Sequence, residues 1–124
     1  MAGKKILTID DDRSITKLNE TVLVKGGYEV TVAQDGSDGM RKAEEIQPDC
    51  ILLDLILPGQ YGYEVIKQLN DNPKTKDIPI IMITGSGLEE VAMNEPDIKA
   101  EGYLCKPYSA DDLLAAVKKA LGDA

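Results

Sequence analysis

Five times along the chain a short apolar run gives way to a stretch with the 3.6-residue period of a helix. Such an alternation constrains the fold more than any other feature. Repeated β/α units are satisfied by a parallel sheet with right-handed crossovers, which place helices on both faces. The strand candidates are Lys5 to Asp10, Glu29 to Ala33, Cys50 to Asp54, Ile78 to Thr84 and Gly102 to Cys105. The third and fourth are continuously apolar, as strands covered on both faces are. The first helix carries Ile15, Leu18 and Val22 on one face, and Gly26-Gly27 stops it. The second carries Met40, Ala43 and Ile46 and ends at Pro48; the third carries Val65, Ile66 and Leu69 and breaks at Asn72-Pro73. Leu88 to Ile98 has a helical pattern but holds Pro96, so a short or offset helix is expected there. The last helix runs from about Ala110 to Leu121, with Ser109 as its N-cap and Leu113, Val117, Ala120 and Leu121 inward.

The 124 residues suit one domain, 1–124, and no repeat or linker divides them. With no Trp, no Phe and five Tyr, its core has to be mostly aliphatic. Fourteen basic and 22 acidic residues leave a net charge of −8, which argues against nucleic acid or an anionic membrane as a direct partner. The absence of histidine excludes a Ser-His triad, His-ligated zinc and a phosphohistidine supplied by this chain. Cys50 and Cys105 lack C-x-x-C spacing and are expected to be two small buried strand residues. Residues 1–5 lead into too few apolar residues for a signal-peptide core, and no run approaches a membrane span. A reduced, cytoplasmic protein is the expectation.

In sheets of this kind the functional site lies at the carboxyl ends of the strands. Strand one ends in Asp10-Asp11-Asp12, strand three in Asp54, strand four in Thr84, and strand five runs into Lys106. Singly, acids before a helix favour its N-terminal dipole, and a strand-terminal Thr or Lys is an ordinary cap or solvent-facing group. Asp54 alone stands out, because it interrupts an apolar run. Brought into one crevice, these groups read differently. Two carboxylates 4 Å apart repel by roughly 4 kcal/mol at an effective dielectric near 20, so the cluster calls for a cation. An all-oxygen site with open positions suits Mg²⁺ (or Mn²⁺). Carboxylate nucleophile, divalent metal, lysine and hydroxyl together suit acceptance of a phosphoryl group, with Asp54 attacking in line.

With these residues in place the sequence resembles a receiver domain of the response-regulator family, the phospho-accepting half of two-component signalling. The resemblance covers essentially the whole chain. It is carried by Ile9-Asp10-Asp11-Asp12, Leu53-Asp54-Leu55-Ile56-Leu57-Pro58 with Gly62, Thr84-Gly85, and Tyr103-Leu104-Cys105-Lys106-Pro107. Their spacings, 84 − 54 = 30 and 106 − 84 = 22, are typical of the family. The resemblance implies a flavodoxin-like doubly wound α/β fold with strand order 2-1-3-4-5. It implies Asp54 as phosphoacceptor, Asp11 and Asp54 as direct Mg²⁺ ligands, Asp10 assisting through water, and Ile56 offering its backbone carbonyl. Lys106 would pair with the phosphoryl group, Thr84 would move to hydrogen-bond it, and Tyr103 would follow Thr84 as the switch aromatic. Lys106-Pro107 matches a peptide bond that is usually cis. Ile56, Gly85 and Ser86 stand at positions resembling those that tune phosphoryl lifetime.

The implied partners are a sensor histidine kinase or phosphotransfer protein and a downstream effector protein, with the chain acting as a monomer and catalysing only its own phosphorylation and dephosphorylation. Other classes fit less well. A flavin carrier needs a Ser/Thr/Gly loop after strand one, where three aspartates would repel the phosphate. An aspartyl-nucleophile phosphatase generally needs a second acid just past the nucleophile, which Asp54-Leu55-Ile56 lacks. A phosphorylation-independent pseudo-receiver, binding partners only, is the alternative within the family; its expected mark is a missing acid, lysine or threonine, and none is missing.

Overall fold

Ile51, Leu52 and Leu53 are fully buried, so the middle of the molecule is a strand with no solvent side. The computed structural model describes residues 3–54, 56–57, 60–84 and 100–122, with 56–57, 60–63 and 84 described by their backbone. In chain order the elements are β1 (Lys5–Ile9), α1 (Arg13–Lys25), β2 (Glu29–Ala33), α2 (Gly36–Ile46), β3 (Cys50–Asp54), β4 (Ile56–Leu57), β5 (Gln60–Tyr61), α3 (Gly62–Asp71), β6 (Ile80–Thr84), β7 (Gly102–Cys105) and α4 (Ala110–Ala120). The five long strands form a parallel sheet in the order β2-β1-β3-β6-β7, which is 2-1-3-4-5 when those five are counted. β4 and β5 form a separate two-residue antiparallel ladder just past β3.

Alternation along the strands sorts the core into two layers. Leu7, Ile9, Ile51, Leu53, Ile80 and Met82 pack with Ala43 of α2 and with Val65, Ile66 and Leu69 of α3. The intervening residues Ile6, Cys50, Leu52, Ile81 and Ile83 pack with Leu23 of α1 and with Leu113 and Val117 of α4. Each fully buried Leu or Ile contributes roughly 1.5–3 kcal/mol, so an aliphatic core without Phe or Trp suffices.

Local chemistry sets the ends of the helices. Asp12 caps α1 by accepting from the Ser14 and Ile15 amides at 2.9 and 3.4 Å. Gly27, at φ +94, supplies the left-handed residue after that helix, where a side chain would be strained. Ser109 and Asp112 form a reciprocal capping box at the start of α4.

Several expectations need correction. The inward stripe of α1 is Thr16, Asn19 and Leu23, while Leu18 is 50% exposed. Of the apolar face, Val22 packs half-buried against the same layer, while Leu18 turns to solvent. Cys105 is exposed, because on the edge strand β7 only Leu104 turns into the core. The fourth sheet strand begins at Ile80, since the Ile78 amide donates to Thr75 in the preceding turn at 3.0 Å. β1 ends at Ile9, although the Asp10 amide still donates to the Ala33 carbonyl at 3.1 Å. The expected helix over Leu88 to Ile98, with Pro96, lies outside the described residues. Among the described residues no helix is long and apolar enough to cross a membrane.

The two thiols therefore differ. Burial pushes Cys50 up to about 12, and a hydrogen bond with the Ile51 backbone opposes this only in part. A group raised this far stays a neutral thiol, and the thiolate is the nucleophile. At neutral pH an alkylating reagent is expected to modify Cys105 alone in the native protein and both cysteines in denaturant, as read by intact mass. Two adducts on the native protein would contradict the buried position of Cys50.

Candidate functional site

The sheet order places the ends of β1 and β3 side by side, with β6 and β7 next in line, so residues far apart in sequence meet at one edge. This edge includes the point where strand order reverses: the chain leaves β1 for β2 on one side and returns to β3 on the other. Asp10 follows β1, Asp54 closes β3, Thr84 closes β6 opposite Cys105, and Lys106 follows β7.

Three of the acids converge. Asp10, Asp11 and Asp54 each bring a carboxylate oxygen within 4.8 Å of the others, Asp10 and Asp54 being buried and Asp11 exposed. Asp12 stands apart from them as the cap of α1. Its amide donates to Asp10 Oδ1 at 2.9 Å and so orients that carboxylate. Lys106 Nζ donates to Asp54 Oδ2 at 3.0 Å and lies 3.7 Å from Asp10 Oδ2. One ammonium thus serves two buried carboxylates that lie 52 and 96 residues before it in the chain, and it does not balance three.

The electrostatics bear the strain of that arrangement. Burial pushes Asp10 up to about 6; the Asp12 amide pulls it down, and the negative charge of Asp54 raises it again. Partial burial lowers the Lys106 ammonium, but its bond to Asp54 and the charges of Asp10 and Asp54 outweigh this and leave it raised. Asp10 Oδ2 is buried without a hydrogen-bond partner, which costs free energy in a low-dielectric interior. A buried carboxylate oxygen with no hydrogen bond, beside two more carboxylates, fits a hard divalent cation with oxygen ligands and open positions.

The Lys106-Pro107 peptide is cis, as the resemblance implied. Tyr103 is 37% exposed on β7 and turns away from the core. Ile56 opens β4 opposite Tyr61, two residues beyond Asp54. The Thr84 side chain, Gly85 and Ser86 lie outside the described residues. Two residues near the site carried no signal in the sequence: Asn19, fully buried on α1, and Tyr108, whose hydroxyl donates to Asn19 Oδ1 at 2.8 Å. A polar residue at helical spacing from Thr16 and Leu23 would have pointed to Asn19 only if the packing face of α1 were known.

The like-charge strain gives a test. Asp10→Asn keeps the oxygen that accepts from the Asp12 amide and removes one negative charge beside Asp54. Without divalent ions the variant is expected to gain about 2 kcal/mol of stability near neutral pH. It should also bind Mg²⁺ more weakly, by titration calorimetry. A less stable variant would show that repulsion does not govern this cluster.

Comparison with known proteins agrees with the geometry. The family model for the response regulator receiver domain matches residues 6–118. The chain is 39% identical over 117 residues to the DNA-binding dual master transcriptional regulator RpaA of Synechocystis, covering 94% of this chain and 48% of that protein. It is 36% identical over 121 residues to the phosphate regulon transcriptional regulatory protein PhoB of Pseudomonas aeruginosa, covering 98% of this chain and 53% of that one. It thus spans about half the length of these curated relatives. Among solved structures, the chemotaxis response regulator CheY4 of Vibrio cholerae superposes with a TM-score of 0.89 at 31% identity, covering 96% of this chain and 99% of that one. A CheY-like receiver domain protein from Methanospirillum hungatei gives 0.86 at 30% identity, over 97% and 94% of the two chains. Fold, strand-end acids and the match over most of its length converge: the chain belongs to the response regulator receiver domain family of two-component signalling.

Proposed function

We propose that this receiver accepts a phosphoryl group on Asp54 from the phosphohistidine of a sensor kinase or phosphotransfer protein, with Mg²⁺ or Mn²⁺, and relays the signal by protein contact. The observation that supports this most is Lys106 Nζ at 3.0 Å from Asp54 Oδ2, beside the converging oxygens of Asp10 and Asp11. A carboxylate already paired with a fixed cation is placed to receive a group whose charge that cation then neutralises.

In the transfer, an Asp54 carboxylate oxygen forms a bond to phosphorus as the phosphorus–nitrogen bond of the donor breaks, and the electron pair leaves on the imidazole nitrogen. Lys106 turns from the carboxylate to the phosphoryl oxygens. Asp10, Asp11, Asp54 and the Ile56 carbonyl would hold the metal, which when bound supplies charge neutralisation and orientation of the phosphoryl oxygens. Thr84 then hydrogen-bonds the phosphoryl group, and Tyr103, now outward, follows it inward. Such a contact biases a two-state element. Presence of every acid, the lysine and the threonine favours this over a pseudo-receiver. In this reading the domain catalyses only its own phosphorylation and dephosphorylation, works in the cytoplasm as a monomer, and with its net charge of −8 touches neither nucleic acid nor membrane directly.

Acetyl phosphate with Mg²⁺ is expected to add one phosphoryl group to the wild type and none to Asp54→Asn, by intact mass. Undiminished labelling of the variant would refute the assignment of Asp54, and labelling undiminished by chelation would refute the need for a metal.

Lifetime is a separate expectation. Hydrolysis needs a water held in line with phosphorus, and Ile56 cannot orient one. Slow decay is therefore expected, with Ile56→Asn accelerating it by about tenfold. Equal decay in excess Mg²⁺ would show that water orientation at this position does not set the rate.

A further inference from the structure

Asn19 is an unusual residue for the place it occupies. It is fully buried on the inner face of α1, between Thr16 and Leu23, facing a mainly aliphatic layer. A buried amide without partners costs about 1–3 kcal/mol. Here both ends are engaged: Oδ1 accepts from the Tyr108 hydroxyl at 2.8 Å, and Nδ2 donates to Thr8 Oγ1 at 3.5 Å, a long contact in which Thr8 is also fully buried.

The three residues stand on three segments that border the site. Thr8 is two residues before Asp10 on β1, Asn19 lies on the helix that Asp12 caps, and Tyr108 is two residues after Lys106. Residues 106–109 are an irregular connection between β7 and α4, and the root of the long Lys106 side chain is in it. Outward, this connection faces a surface cleft lined by Ile15, Leu18, Lys106, Pro107 and Tyr108, so the hydroxyl-to-amide bond ties it inward to α1. Burial holds the Tyr108 phenol above its ordinary range, and it remains a neutral donor.

We infer that Tyr108 and Asn19 form a positioning bridge that fixes the Lys106 segment against α1, so that Nζ is held at Asp54 before phosphoryl transfer. The bridge rests on the phosphoacceptor reading of Asp54. Two apolar side chains would fill the same space, but a directional bond also sets the position of the segment along the helix. Tyr108 touches neither phosphoryl group nor metal; it acts through Lys106.

The test compares wild type, Tyr108→Phe, and the double variant Tyr108→Phe with Asn19→Leu, using acetyl phosphate as donor. Tyr108→Phe leaves the Asn19 oxygen buried and unpaired, so its melting temperature should fall. The double variant removes both partners and should recover most of that loss. A bridge that only stabilises the fold predicts that phosphorylation recovers with it. A positioning bridge predicts that the double variant stays about tenfold slower. Mg²⁺ affinity by calorimetry should stay unchanged, because no carboxylate has moved. The Lys106 ammonium NMR signal, read without donor at fixed pH, should broaden through faster exchange with water. A wild-type rate in the double variant, or a Mg²⁺ affinity that falls in parallel with the rate, would overturn the inference. If the wild type accepts no phosphoryl group, the phosphoacceptor reading fails by itself. The ammonium signal then decides the bridge alone: broadened supports it, unchanged overturns it.

Discussion

The structure depends on putting a carboxylate at the end of a strand that has no solvent side. β3 contributes Ile51 and Leu53 to one aliphatic layer and Cys50 and Leu52 to the other, and then terminates in Asp54. Both layers hold that strand rigid, so its last side chain is delivered to a fixed point. Asp10, at the end of the adjacent strand, arrives at the same edge with an oxygen lacking a hydrogen-bond partner. Lys106 offsets part of this charge but cannot offset three acids. A site carrying surplus negative charge in a protected crevice is unstable by itself and gains from a cation or from a change in the charge it holds.

That imbalance also explains why so much of the surrounding structure serves orientation. Asp12 does not join the cluster; it caps α1 and through its amide aims Asp10. The capping box at Ser109 fixes the start of α4, and the Tyr108–Asn19 bond lies between that cap and Lys106. Each of these bonds is neutral or half-neutral and individually modest, about 1 kcal/mol. Their value lies in holding the charged groups to within a few tenths of an ångström, where electrostatic effects are steep.

Legibility in the sequence followed the strength of the periodic signal. β2, β3 and β7 were readable to the residue because each is a short run bounded by turn or charged residues. The β4–β5 ladder was not, since two residues per strand have no period to detect. α1 is legible as a helix, but its fully buried face is not: Ile15, Leu18 and Val22 have helical spacing as good as Thr16, Asn19 and Leu23. Hydrophobicity favoured the first set, whereas packing against the sheet and α4 turned the second inward. The exposure of Cys105 is illegible for a related reason, as four residues of an edge strand do not disclose which alternate side is covered.

By itself, the sequence determined the class of fold, the strand that ends in Asp54, and the kinds of group available to the site. Those follow from local patterns: apolar runs, helix period, caps and breakers. What only the tertiary structure decided is which groups meet. Lys106 and Asp54 are 52 residues apart, and nothing local measures the 3.0 Å between them. That contact exists because β6 lies between β3 and β7 in a parallel sheet, which aligns their carboxyl ends. The same holds for Tyr108 and Asn19, 89 residues apart and joined only because α1 and α4 cover one face of that sheet. Distances across a sheet are set by strand order and by the rotation of helices on it, and both are consequences of packing the whole chain at once.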